Sequence, residues 1–448
     1  MSKRAYFTPS QVFSPWLSRL EEAPQVMVGF SGGVDSTVLL HILCAVIPAE
    51  KILAVHVHHG LSGSADMWQK QAGVFCASLG VQMRSESVSI SPSGEGLEAA
   101  AREERYKVFQ KRLEKDGLLL LAHHADDQVE TVLYHLLRGS GPKGLAGIPA
   151  ERPIGQGQLI RPLLPYPKQA LKAYAEENGL NWVEDESNRQ DEFDRNYLRN
   201  QVIPSISERW PDYAARIRHS SNLCRETDGL VISIARDDLA LLDVQSERAG
   251  WSLSMQRFFS LTQSRQKNFL RHWPGFYGLP LPGHKIVAEI IDSLLHARED
   301  AEPKVSWKNV QINRYRDRLF LLLRSDRPES VEDACLYWQV DEPLVLPDGN
   351  CLDAERVNGG GLRVDDGAAF TVCFRKGGER CKPAGRQHSN SLKKLLQEYG
   401  LEPWWRNRVP LIFIGEELVA VGDLWVCEGW QATDGETGLN IRWQTSLL

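Results

Sequence analysis

At 448 residues the chain is too long for one ordinary domain, and a spacing of one domain per ~150 residues leads us to expect about three. Its 42% apolar share supplies core, no apolar run approaches the ~20 residues of a membrane span, and MSKRAYFTPSQ lacks a signal-peptide apolar segment, so a cytoplasmic protein is expected. The net charge of −6 gives no support by itself to a nucleic-acid partner, and the eight scattered cysteines contain no C-x-x-C, which argues against a zinc ribbon or disulfide framework and for reduced thiols.

The first 24 residues read as a short amphipathic helix around Phe13, Trp16 and Leu17. Val26, Val28 and Phe30 then form a strand-like run that stops at Ser31-Gly32-Gly33. After Val34-Asp35-Ser36 the residues Val38, Leu39, Leu40, Ile42 and Leu43 continue as a helix. A strand, a glycine turn and a helix N-terminus together aim backbone N–H groups and the positive end of a helix dipole at one spot, which suits a phosphate. The stretch has neither the Lys of G-x-x-x-x-G-K-[ST] nor the spacing of G-x-G-x-x-G. Asp35 is the unusual member, because a carboxylate beside phosphates is repulsive unless it holds Mg²⁺ or caps its own helix.

Strands then alternate with helices: Ile52 to His58, a helix Ala65 to Leu79, VQMRSESVSI, a helix Glu95 to Lys115, Leu118 to His123, and a helix Ala125 to Leu137. This order predicts an α/β doubly wound parallel sheet with ligands beyond the carboxyl ends of the strands. His56, His58 and His59 close the second strand without acids or cysteines at metal-ligand spacing, so satisfied or nucleotide-lining histidines are expected. Arg102 follows Ala99-Ala100-Ala101 near the start of a crossover helix, where it either reaches a phosphate or is solvated. In HHADDQVETVLYHLLRGSG, Asp126, Asp127 and Glu130 share one helix face just after a strand. Converging carboxylates beside a phosphate loop are best explained by Mg²⁺ or a cationic substrate group.

SGGVDS, HHADDQVET, RGSGPKGLAGI, Asp185-Glu186-Ser187-Asn188 and RNYLRNQVIP together resemble the bacterial tRNA(Ile)-lysidine synthetase family of the PP-loop ATPase superfamily, over essentially the whole chain. The resemblance implies that ATP adenylates the C2 oxygen of the wobble cytidine in tRNA(Ile) with a CAU anticodon, and that the side-chain amine of free lysine then displaces AMP. It implies ATP binding by Ser31, Gly32, Gly33, Val34, Asp35, Ser36, Arg102 and Arg195, catalysis by Asp35, Asp127 and Glu130, lysine binding by Asp127 and Glu130, and Mg²⁺ on Asp35 or Asp127. The family's usual isoleucine before the second arginine of RNYLR is Leu198 here.

Pro204 and Pro211 are expected to end a catalytic domain of residues 1–215. A helical middle domain, 216–326, carries Arg265, Lys267, Arg271, His272, His284 and Lys285, which serve equally well as an RNA face or as solvated helix faces. Glu299 to Glu302 reads as a turn, VSWKNVQINRYRDRLFLLL as a hairpin, and Arg327 to Glu332 as a linker. In the β-rich domain that follows, 333–448, nine Lys or Arg face three acids between Thr371 and Pro410, a local +6 in an acidic protein. Arg375, Lys376, Arg380, Lys382, Arg386, Lys393 and Trp405 are the expected tRNA contacts, and a helix with Leu392, Leu395 and Leu396 on its apolar face ends at Gly400. A tRNA thiolase would require catalytic cysteines or iron–sulfur ligands that the spacing does not offer. A regulatory nucleotide switch would release no AMP, and an amidating synthetase would carry a glutaminase. Dimerisation is left open.

Overall fold

The sequence alternation builds a single six-stranded sheet in the first half of the chain. In the computed structural model, which describes residues 7–58, 65–89, 97–184, 194–298, 303–324, 335–364 and 368–445, the chain forms two compact units, Met1–Leu230 and Val231–Leu448. His59, the Asp185–Asn188 motif, the Glu299–Glu302 turn and the Arg327–Glu332 linker lie outside the described residues.

The first unit contains, in order, helices α1 (Pro9–Phe13) and α2 (Leu17–Glu22), β1 (Val26–Gly29), α3 (Val34–Cys44), β2 (Ile52–His58), α4 (Ala65–Ser78), β3 (Gln82–Ser87), α5 (Leu97–Arg112), β4 (Leu118–Leu120), α6 (Ala125–Leu137), α7 (Pro142–Leu145), β5 (Glu151–Ile154), β6 (Gly157–Ile160), α8 (Lys168–Glu177), α9 (Asp194–Tyr197) and α10 (Ile203–Arg209). Helix α11 (Tyr213–Leu241) supplies residues to both units. The sheet order is β3-β2-β1-β4-β6-β5, parallel except for β5. Alternate residues point to opposite faces. Val26, Val28, Leu118, Leu120 and Ile160 therefore pack with α3 and α8, while Met27, Leu119 and Leu159 pack with Phe109 of α5. The doubly wound expectation holds, and the chain order reverses at β1, between β2 and β4, which is where this architecture opens a crevice.

Helix α3 is apolar nearly all round, with Val38, Leu39, Leu40, Ile42 and Leu43 fully buried. Burying each such side chain is worth about 1.5–3 kcal/mol. The helix is thereby fixed as a core element whose N-terminus alone faces the crevice. The β5–β6 hairpin was not anticipated: Pro153 and Gly155 disguise it, but Pro is tolerated on an edge strand and Gly155 turns at φ +53°.

In the second unit the expected hairpin is a three-stranded meander, β9 (Lys304–Trp307), β10 (Val310–Tyr315) and β11 (Arg318–Leu323). It is extended by β7 (Gln245–Glu247) and β8 (Gly250–Ser254) and covered by helices α12 (Met255–Phe259), α13 (Gln263–His272) and α14 (His284–Glu289). Trp273, Phe258 and Phe269 form its core. Arg265, one of the residues with two open readings, pairs with the fully buried Asp238. The β-rich remainder has its own core around Trp338, Trp405 and Trp443. Helix α15 (Leu392–Tyr399) buries Leu392, Leu395 and Leu396 and stops at left-handed Gly400, as expected. One expectation is overturned here: Cys335 and Cys373, directly opposite on adjacent antiparallel strands with Cα atoms 4.3 Å apart, are joined as a disulfide.

Candidate active site and the family it belongs to

The glycine turn is held from within by Ser36. Its buried hydroxyl oxygen accepts from the N–H groups of Ser31 (3.3 Å) and Gly32 (3.2 Å) and donates to the Gly33 carbonyl (3.0 Å). Gly32 sits at φ +84°, a conformation that favours glycine, and its carbonyl accepts from the Val183 N–H at 2.9 Å. The Gly32 N–H is therefore turned inward. Helix α3 starts at Gly33 with no side-chain cap, and the first N–H to bond within the helix is that of Thr37. This leaves the amides of Val34, Asp35 and Ser36 as the donors presented to an anion. Ser36→Ala should strand two loop amides, at about 1–3 kcal/mol for each buried one. A lower thermal midpoint and weakened nucleotide binding by calorimetry are the expected result.

From β4 the chain leads through His123 to His124, the N-cap of α6. His124 is only 3% exposed and lies among acids: Nε2 is 3.5 Å from Asp35 and 3.6 Å from Asp127, and Nδ1 is 3.5 Å from Asp126. Burial opposes charge on the ring, but Asp127, Asp126 and Asp35 outweigh it and push His124 up to about 10. The imidazolium is thus the cation that holds the acids together. The Asp127 N–H meets Nδ1 at 3.4 Å in the capping box that opens α6, a long contact beside the ring's approaches to Asp35, Asp126 and Asp127. Asp127 also accepts from the His124 N–H at 2.9 Å, and Asp126 accepts from the Lys168 N–H at 2.7 Å.

Asp35 and Asp127, distant in sequence, are thereby brought to one ring nitrogen. Among the described residues no cluster of three or more His, Cys, Asp or Glu forms a metal cage. Mg²⁺ needs no such cage, since it takes one or two carboxylates and completes its shell with water and substrate phosphates. The Asp35 Oδ1 atom, buried without a hydrogen-bond partner, fits that requirement.

Glu130, one turn further along α6, is 3% exposed and clasped by Arg199, whose Nε and Nη2 donate at 2.6 and 2.8 Å. Arg199 lies on a π-helical turn, Leu198–Val202, with Nη2 3.9 Å from Asp127. Burial outweighs the pull of Arg199 and raises the Glu130 carboxyl above its usual range. Arg195 lies over the Tyr134 ring at 5.9 Å, and Arg102 lies against Tyr106. Gln128, on the buried side of α6, accepts from the Ile148 N–H at 2.6 Å and donates to the Ser221 hydroxyl at 3.0 Å, which secures the GLAGI segment. His56 contacts the Phe30 carbonyl at 3.0 Å just before the glycine turn, as a satisfied histidine.

Reading the residues alone gave no role to His123, His124, Arg161 or Tyr106. The available signal was two adjacent histidines at the end of a strand, immediately before a helix start.

The C-terminal basic residues divide by their partners. Arg375 is mostly buried beside Glu379 (3.7 Å), Lys382 is 3.7 Å from Glu428, and Arg386 pairs with Glu398 at 2.6 Å. Lys376 and Arg380 are exposed, Arg380 donating to the Ser389 carbonyl at 3.1 Å, and Lys393 is exposed. Trp405 corrects the expectation of a base-stacking surface residue. It is 4% exposed and packs edge-on against Trp443 at 5.4 Å, so its ring is core.

The sheet, glycine turn and facing acids define a PP-loop protein, and residues 8–206 match the family model described as the PP-loop domain. Residues 253–320 and 370–443 match the TilS substrate binding domain and the TilS substrate C-terminal domain. A tRNA(Ile)-lysidine synthase of Coxiella burnetii is 39% identical over 446 residues, covering 98% of this chain and 97% of its own length. Those of Alkalilimnicola ehrlichii (40%, covering 94% of each chain) and Serratia proteamaculans (37%, covering 94% of this chain and 95% of its own) are similarly related. This chain belongs to the tRNA(Ile)-lysidine synthase family.

Proposed function

We propose that the chain ligates free L-lysine to C2 of the wobble cytidine in tRNA(Ile) bearing a CAU anticodon, at the expense of ATP. Its decoding identity would change from Met to Ile. The observation that carries this reading is the convergence of Asp35 and Asp127 beside the uncapped N-terminus of α3. In the first step the cytidine C2 oxygen attacks the α-phosphorus and the bond to the β-phosphate breaks, releasing pyrophosphate. The amides of Val34, Asp35 and Ser36 offset charge developing on the phosphates, and Arg102 and Arg195 are our candidates for further phosphate contacts. In the second step the lysine side-chain nitrogen bonds to C2 and the C2–O bond breaks, releasing AMP. Free lysine carries an ammonium with pKa ~10.4, so a carboxylate must bind it and take its proton. Asp127 is assigned that role, with Glu130 completing the lysine pocket through its hold on Arg199. Mg²⁺, held by Asp35 and Asp127, would supply charge neutralisation for the leaving pyrophosphate.

Residues 1–215 are assigned to catalysis, 216–326 and 333–448 to tRNA binding. The exposed Lys376, Arg380 and Lys393, with Arg375, Lys382 and Arg386 beside them, form the proposed tRNA-binding face, from which Trp405 is absent. Lys376→Ala and Lys393→Ala should each weaken tRNA binding and flatten the salt dependence of log K by about one contact, measured by filter binding across a salt series. The reading itself is tested with purified protein, ATP, Mg²⁺, labelled lysine and bulk tRNA, followed by nucleoside mass analysis. Lysine attached to cytidine is expected; AMP release without that nucleoside defeats the proposal.

A further inference from the structure

Two cysteines distant in sequence face one cleft of the C-terminal β-rich domain. Cys381 ends the short strand Arg380–Cys381, and Cys427 follows the strand Trp425–Val426. The two segments run antiparallel, with Pro383 opposite Cys427. The Glu428 N–H donates to the Lys382 carbonyl at 2.7 Å, and the Ala384 N–H to the Val426 carbonyl at 3.0 Å. Side chains alternate along extended chain, so Cys381, two residues before Pro383, shares a face with Cys427 as its diagonal neighbour. The Cys427 S–H donates to the Cys381 sulfur. Both residues line an open cleft of about 430 Å³, which leads a small molecule to side chains that are otherwise 7% and 5% exposed.

A buried free cysteine is ordinarily an inert apolar residue. Burial pushes Cys44 up to about 11 and Cys76 up to about 12. Cys381 goes the other way. The hydrogen bond from Cys427 outweighs its burial and, with the Trp425 N–H and the charge of Arg386, brings the thiol down to about 7. The same bond, reinforced by burial, holds the Cys427 thiol up. Trp425 points to an anion on separate grounds: its Nε1, which can only donate, is buried and finds no oxygen or nitrogen acceptor. A structural zinc takes four ligands, and among the described residues no group of three or more His, Cys, Asp or Glu completes a metal site. Two thiols, one donor N–H and an open cleft remain, which is the requirement of disulfide chemistry.

We propose that Cys381 and Cys427 form a reversible thiol–disulfide modification site for a low-molecular-weight disulfide such as that of glutathione, with Cys381 attacking and Cys427 resolving. The Cys381 thiolate attacks one sulfur of the small disulfide, its S–S bond breaks, and one small thiolate leaves and takes up a proton. The charge on Cys381 that held the Cys427 proton in place is then gone. Cys427 gives up that proton and attacks the Cys381 sulfur, the mixed disulfide breaks, and the second small thiolate leaves and is protonated. Two protein thiols lose two electrons and two protons, and the small disulfide gains both. The site is separate from the Cys335–Cys373 disulfide and does not depend on the reading of the chain as a lysidine-forming enzyme.

The test uses the full-length protein with Cys381 and Cys427 reduced. Iodoacetamide alkylation is followed residue by residue across pH, and incubation with glutathione disulfide is followed by peptide mapping in a mass spectrometer. Cys381→Ser and Cys427→Ser are treated alongside wild type, with thermal midpoints as folding controls. We expect the alkylation rate of Cys381 to titrate with a midpoint of about 7, against the ~8.5 of an ordinary cysteine. Wild type should yield a Cys381–Cys427 cross-link that a reductant reverses. Cys427→Ser should retain glutathione on Cys381, and Cys381→Ser should carry none on Cys427. A wild-type map without the cross-link, or a Cys381 midpoint at or above that of an ordinary cysteine, overturns the proposal even where a variant fails to fold. Glutathione on Cys427 in folded Cys381→Ser overturns the assignment of Cys381 as the attacking thiolate.

Discussion

Asp127→Asn should lower lysine incorporation about a thousandfold and leave tRNA affinity essentially unaltered, because one positioned proton acceptor is worth roughly 10²–10⁴ in rate. Asparagine can still accept from the His124 N–H, so the start of α6 is preserved. The substitution removes the negative charge that faces His124 and the proposed lysine ammonium. Single-turnover transfer of labelled lysine, with tRNA binding measured in parallel, separates these effects. Turnover equal to wild type would remove Asp127 from the chemistry. Loss of tRNA binding in step with turnover would recast it as a structural residue.

Arg199→Leu is expected to cost about 3–5 kcal/mol of stability at neutral pH, since it leaves the buried Glu130 carboxylate without its bidentate partner. The pH dependence has a definite sign. Burial already raises the Glu130 carboxyl above its unfolded value, and loss of the guanidinium raises it further. A carboxyl with a raised folded pKa stabilises the fold at low pH and withdraws that stability as pH rises through the folded value. The penalty of Arg199→Leu should therefore shrink as pH falls toward the ordinary glutamate range near ~4.3 and be largest at pH 7 and above. Adding Glu130→Gln to Arg199→Leu should recover much of the loss. Denaturant unfolding of the single and double variants between pH 4 and 8 measures this, and a pH-independent penalty would show that Glu130 is not the group left uncompensated.

The parallel order of β1 to β4 was legible because β1, β2 and β4 are apolar runs and helices of full length separate the four strands. Helix Ala125–Leu137 and strand Ile52–His58 fall where periodicity places them. The β5–β6 hairpin was hidden because Pro153, Gly155 and Gly157 mimic a loop, β7 because it is three polar residues, and β8 because it is only five residues long and starts at a glycine.

In the site, the acids could be read from spacing on one helix face, but their partners could not. His124 joins Asp35 to Asp127 across ~90 positions of chain, and Arg199 reaches Glu130 only because α9 and its π-helical turn pack on α6. Trp405 failed as a surface residue for a related reason. Aromatics interleaved with basic residues are consistent with either an RNA platform or a core edge, and burial against Trp443 selects the core. The disulfide likewise depends on strand register, which places Cys335 opposite Cys373.

A nucleoside triphosphate is expected on the amides opening α3, opposite the acids proposed to handle the incoming amine. A crystal structure with a non-hydrolysable ATP analogue tests it most directly. We predict phosphate oxygens within hydrogen-bond reach of the Val34, Asp35 and Ser36 N–H groups, with Asp35 and Asp127 on the same side of the pocket. An analogue bound elsewhere, or Asp127 turned away from it, would contradict the account.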